Sequence, residues 1–228
     1  MNSIVSEKRY IAERLGLPYE SLSQSYLRSE TALGNQSTID FILQTNKKQG
    51  ANPTERLLNL NDEFVVTHFA VTLKPVATLT DENEVTAERY TYVPNTPTTP
   101  FTGNSTNAVS IYNSDLSWTI DRQEFVPQFP MRAFFRVPDV QTDIQAGGTT
   151  GIVDGQNTAL YGFYPSEPTR IDGRQTIDLS INMGSTVDMT PGAGAVYAVF
   201  EARGYLITNA LNTFGWWYVF NSWLHTSN

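Results

Sequence analysis

Two stretches of this chain are apolar on both faces when read with a period of two. In Ala195 to Thr208, Val196, Ala198, Phe200, Ala202 and Leu206 fall on one side, and Tyr197, Val199, Glu201, Arg203, Tyr205 and Ile207 on the other. Asp62 to Leu73, DEFVVTHFAVTL, has the same two-sided character and the same wealth of β-branched and aromatic residues. A strand covered on both faces needs neighbours in its own sheet and a second layer above it. The pattern therefore predicts that these distant stretches pair, closing the end of the fold onto its beginning.

Elsewhere the alternation is one-sided. Ile39, Phe41 and Leu43 predict a half-buried strand, as do Leu116, Trp118 and Ile120, and then Met131, Ala133, Phe135 and Val137. Ile177, Leu179, Ile181 and Met183 form the cleanest alternation of all. Ala87–Val93 and Leu160–Tyr164 add two strands, and Val76–Thr80 resumes the ladder after Pro75. Pro75, Pro127, Pro130, Pro165 and Pro168 read as strand ends, because proline cannot donate to a ladder. Helical spacing appears once with force: Ile4, Val5, Ile11, Ala12 and Leu15, ringed by Lys8, Arg9, Glu13 and Arg14 and stopped by Gly16 and Pro18. Tyr19 to Glu30 reads as a further helical turn or two, anchored by Leu22, Tyr26 and Leu27. Pro94–Asn107, Asp139–Asn157 and Gly184–Gly194 read as loops.

These elements predict an all-β fold: an antiparallel, jelly-roll-like β-sandwich over residues 38–212, preceded by a helical arm at 1–37 and followed by an aromatic segment at 213–228. No internal repeat is evident.

Composition narrows the function. The 228 residues carry a net charge of −8, which argues against a general nucleic-acid binder. In the first 48 residues Lys8, Arg9, Arg14, Arg28, Lys47 and Lys48 nearly balance Glu7, Glu13, Glu20, Glu30 and Asp40, so the negative excess belongs to the remainder. No cysteine is present, which removes disulfides and thiolate chemistry. Met1 to Leu17 has no apolar signal-peptide core, and no run approaches the length of a membrane span, so synthesis in a cytosol is expected. Asn35-Gln36-Ser37 and Asn104-Ser105-Thr106 match glycosylation acceptors, which are expected to go unused without a secretion signal.

Candidate chemistry is sparse. A metal site of the cupin kind needs several histidines, and only His68 and His225 exist, the first inside a predicted strand as a sheet-face residue. No Gly-x-Ser-x-Gly elbow places a nucleophile. Asp115, Asp121 and Glu124, or Asp172 and Asp178, supply carboxylates for a glycosidase pair, recommended only by abundance. Asp139, Asp143 and Asp154 share a loop but lack the ligand spacing of a calcium loop. The expectation is a protein that is not an enzyme, with no catalytic residue, cofactor or metal.

The arm Met1–Glu30, the segment Leu57-Leu58-Asn59-Leu60-Asn61-Asp62-Glu63-Phe64-Val65-Val66-Thr67, and the alternation of strands with long loops to Thr208 give the chain its organisation. In these features it resembles the jelly-roll structural proteins of icosahedral virions, those of bacteriophages in particular. The resemblance implies a capsid shell, vertex or decoration component, made in the host cytoplasm, that forms homo-oligomers, often trimers, and contacts other virion proteins. Many such proteins have strongly basic arms that bind genome; this arm is not basic, so direct nucleic-acid contact is not expected. The aromatic cluster Phe214–Leu224 independently suggests an interface. Ile4, Ile11 and Leu15 of the arm and Phe214, Trp216, Trp217, Phe220 and Trp223 of the tail are the candidate interface residues, the alternatives being an arm helix docked on its own domain and a tail that forms a last strand of its own sandwich. The alternative is a carbohydrate- or receptor-binding module in which Trp216, Trp217 and Tyr218 stack on sugar rings.

Overall fold

A computed structural model describes residues 4–48, 52–76, 105–135, 163–190 and 194–210. Eight strands are present among them: β1 (Ser23–Ala32), β2 (Asn35–Phe41), β3 (Glu63–Val76), β4 (Asp115–Ile120), β5 (Gln123–Pro130), β6 (Tyr164–Asp172), β7 (Ile177–Asp188) and β8 (Ala195–Ile207). They form two four-stranded sheets, ordered β1-β8-β3-β6 and β2-β7-β4-β5, and every pairing is antiparallel. Helix α1 (Ile4–Leu15) precedes them, and a short helix α2 (Ser105–Tyr112) lies between β3 and β4.

The two stretches that are apolar on both faces are β3 and β8, and they pair along their length from Glu63↔Ile207 to Val76↔Ala195 at the centre of the first sheet. Val196, Ala198, Phe200 and Ala202 face the second sheet, where Ile39, Phe41, Leu116, Trp118, Leu179 and Ile181 complete one core. Phe69 is an aromatic hub of that core, with ring centroids 5.8 Å from Phe134, 6.1 Å from Trp118 and 6.3 Å from Phe200. The opposite face of β8 is buried for a separate reason. Tyr205 and Ile207, with Val65 of β3, pack under Ile11, Ala12 and Leu17 of the N-terminal segment.

Several elements differ from expectation. Tyr19 to Glu30 is not helical beyond a single 3-10 turn at Tyr19–Ser21; it continues as β1, which pairs with β8 from Ser23↔Leu206 to Ala32↔Tyr197. Sheet pairing thus begins at Ser23 rather than Thr38. The pattern missed β1 because its outward residues, half-buried Arg28 and buried Glu30, are covered by pairing with other polar groups instead of by apolar contacts. Proline also misled. Pro127 and Pro130 lie inside β5, and Pro165 and Pro168 inside β6; both strands are sheet edges, where a residue without an N–H costs no ladder bond on its outer side. Pro75 lies inside β3, beyond Phe69, where the pairing with β6 ends.

Met131 to Phe135 is a 3-10 turn over Met131–Phe134 instead of a strand. Met131 and Phe134, three residues apart, are both fully buried, so the operative period is three and not two. Helix α2 begins inside the stretch read as a loop and buries Ala108, Ile111 and Tyr112. The loop expected from Gly184 begins later, because β7 runs on to Asp188 through Gly184 at φ +68°. The expected strand Ala87–Val93, the Asp139–Asn157 loop and the tail from Phe214 lie outside the described residues.

Candidate functional site

Among the described residues, the outer face of the first sheet is covered at both ends and open between them. One end lies under α1. At the other, residues 52–58 run beside the free edge of β1, where Arg28 and Arg56 exchange backbone hydrogen bonds of 2.8 and 2.9 Å. This strap is fastened by charge. Glu30 and Lys74 form an ion pair with both side chains fully buried. Glu30 also accepts hydrogen bonds from Arg28 Nη2 at 2.6 Å and Asn52 Nδ2 at 3.2 Å. Glu55 accepts from the Glu30 backbone N–H at 2.6 Å and pairs with Lys48, whose ammonium also donates to the Glu30 carbonyl at 2.7 Å. The Lys74 ammonium further sits 4.7 Å from the Tyr197 ring centroid. Burying these charges is tolerable only because each finds several partners.

Between helix and strap lies a groove of about 890 Å3. Its floor is set by strand register. Tyr26 of β1, Arg203 of β8 and His68 of β3 are direct neighbours across the sheet, and Arg28, Glu201 and Ala70 form the next row. A bulge at Thr67, which has no ladder partner on either side, brings His68 opposite Arg203. Thr67 Oγ1 lies 2.9 Å from His68 Nδ1 and donates to the Arg203 carbonyl at 3.2 Å, fixing the bulge. The bulge also explains Gly204. A Cβ there would sit 1.8 Å from the Val65 carbonyl oxygen, so the backbones approach too closely for any side chain.

The groove is polar and mixed in sign. The Arg203 guanidinium lies 3.7 Å from the Phe163 ring centroid, and its Nε is 3.4 Å from Glu201 Oε1, with the side chain 41% exposed. Tyr26 is 41% exposed, with the Arg56 guanidinium 5.2 Å from its ring centroid. Glu7 of α1 borders the other side, above Tyr205. Burial, reinforced by the charge of Glu7, pushes the Tyr205 phenol up to about 12, so it stays protonated. Arg28 Nε is buried and has no hydrogen-bond partner among the described residues. The arrangement offers charged donors, carboxylate acceptors and an aromatic face within one concavity, which suits recognition of a polar ligand.

The residues singled out from sequence are dispersed. Ile11 is fully buried against Val65, Tyr205 and Ile207 of its own chain, and Leu15 is half-buried against the same cluster. Ile4 begins α1, but its side chain lies outside the described residues, as do Phe214, Trp216, Trp217, Tyr218, Phe220, Trp223, His225 and the Asp139, Asp143 and Asp154 set. Of the carboxylates, Asp121 and Glu124 border one cavity of about 410 Å3, whereas Asp115, Asp172 and Asp178 do not line it. Asp121 Oδ1 accepts from the Thr176 backbone N–H at 2.8 Å, Asp172 is bound by Arg174, and Asp115, Glu124 and Asp178 are exposed on the second sheet. Among the described residues, no three His, Asp or Glu side chains are grouped to hold a metal ion, and no helix is long and apolar enough to cross a membrane.

Tyr26 was read from sequence only as an anchor of a helical turn, and Arg28, Glu30 and Lys74 were given no site role. One signal was present: a lysine in a strand apolar on both faces implies a buried partner. No family model, curated protein or solved structure matches the chain.

Proposed function

We propose that the protein is a structural component of an icosahedral virion, a jelly-roll subunit of shell, vertex or decoration that assembles with copies of itself. The observation that carries the reading is the strand order. Two four-stranded antiparallel sheets ordered β1-β8-β3-β6 and β2-β7-β4-β5 interleave early and late strands as two Greek keys do, and this eight-stranded pattern recurs in capsid and lectin domains. The acidic, cysteine-free composition is compatible with a subunit stabilised by packing and assembly. On this reading the chain is made in a host cytoplasm, contacts other virion proteins, holds no cofactor and touches no genome directly. Electron microscopy of the purified chain tests it: regular closed or ring-like assemblies are expected, and a field of dispersed single subunits would count against it.

The groove favours a second reading, a glycan- or receptor-recognising module, because its exposed Tyr26 and Arg203 lie side by side on a rigid sheet. The two readings are compatible, since a virion subunit can carry a recognition surface on a face not used in assembly.

A further inference from the structure

We propose that the groove over β1, β8 and β3 binds an acidic sugar, gripping its carboxylate with Arg203 and stacking its ring on Tyr26. The inference rests on the second reading above, that the groove recognises a glycan, and it supplies the chemical class of that ligand. At about 890 Å3 the groove has the size of a small-molecule site.

Arg203 is the fixed point. Its guanidinium is held against Phe163, and its single ion-pair contact among the described residues, to Glu201, engages only Nε at 3.4 Å. Among the described residues the two terminal nitrogens have no partner, and the side chain is substantially exposed. Such a fork, immobilised in advance, matches the two oxygens of a carboxylate. Arg28 points to the same conclusion. It lines the same groove and adds a second guanidinium to its wall.

Charge excludes the simpler ligands. A small inorganic anion would meet Arg203 but offer no donors to the Glu7 and Glu201 carboxylates bordering the groove. A neutral sugar would satisfy those carboxylates through its hydroxyl groups yet leave the Arg203 fork unmatched. A polyhydroxylated carboxylate answers both: its acid group meets Arg203, and its hydroxyls donate to Glu7 and Glu201, each with several acceptor positions. Tyr26, the Arg203 neighbour across the ladder, is placed for the apolar face of a pyranose.

The test is a calorimetric or NMR titration of the full chain with glucuronate, with glucose as the neutral twin that differs only at the acid carbon, and with acetate as the carboxylate alone. Glucuronate is expected to bind about tenfold or more tighter than glucose, in the millimolar range of an isolated monosaccharide site. Arg203→Gln should erase that preference while the near-UV circular dichroism stays unchanged, and Tyr26→Ala should weaken both sugars. If Arg203→Gln does not fold, Arg203→Lys keeps the charge, loses the fork, and should still lower the preference. Equal affinity for glucose and glucuronate, or a preference that survives loss of the fork, overturns the acidic-sugar assignment while leaving a glycan site in place. Acetate competing as well as glucuronate overturns the sugar. No binding of any of the three overturns both the assignment and the recognition reading beneath it.

Discussion

Lys74 is the residue on which the outer face of the first sheet depends most. Its ammonium is wholly buried with the Glu30 carboxylate, and removing one member of such a pair leaves the other desolvated and undercompensated. Lys74→Met is expected to cost about 3 kcal/mol of stability, read as a lower urea midpoint; an unchanged midpoint would contradict the network. Glu30 also gives the fold an acid limit. Burial alone would raise its pKa, but the hydrogen bonds from Lys74 and Thr54 and the charges of Arg28 and Lys74 outweigh burial and hold it below its ordinary 4.5. A carboxyl depressed in the folded state adds stability that is fully present above the unfolded value and is lost as pH falls through the folded one. Thermal stability should therefore drop as pH is lowered below about 4.5, and Glu30→Gln should flatten that dependence while lowering stability at neutral pH.

At the scale of elements, legibility followed the source of burial. The strands β3 and β8, and their pairing, could be read because apolar side chains cover both their faces. β4 and the first half of β7 could be read because one face is apolar and one is wet. β1 could not, since Glu30 is buried by charge pairing with Lys74 and with the half-buried Arg28, contacts a hydropathy pattern does not encode. β5 and β6 were hidden by prolines that only an edge position tolerates, and edge position is a property of the sheet rather than of the segment. The groove was unreadable for a related reason: Tyr26, Arg203 and His68 meet through the register of three strands and a bulge. Helix α1 was legible as an element, and of the two dockings its apolar face allowed, on its own domain or on a neighbour, Ile11 and Ala12 take the first. Ile11→Ala should cost about 3 kcal/mol of folding stability without changing the mass of the native species. A variant of normal stability but altered mass would place that helix face against a neighbour instead.

For the whole molecule, the proposed assembly needs an interface, and the aromatic segment Phe214–Leu224 is the candidate the sequence offers. Covering three of Trp216, Trp217, Phe220 and Trp223 against a neighbour would remove on the order of 500 Å2 from water, worth roughly 12 kcal/mol at about 25 cal/mol per Å2. Association costs about 4–15 kcal/mol in lost freedom, so such a tail is able to decide assembly without being its only contact. Light scattering on the full chain and on a chain ending at Thr213 measures this most directly. A self-assembling subunit whose tail joins its neighbours predicts a native mass that is a multiple of 25.5 kDa for the full chain and a folded monomer for the shortened one. A full chain that remains a single 25.5 kDa species across the micromolar range would contradict the assembly on which the virion reading stands.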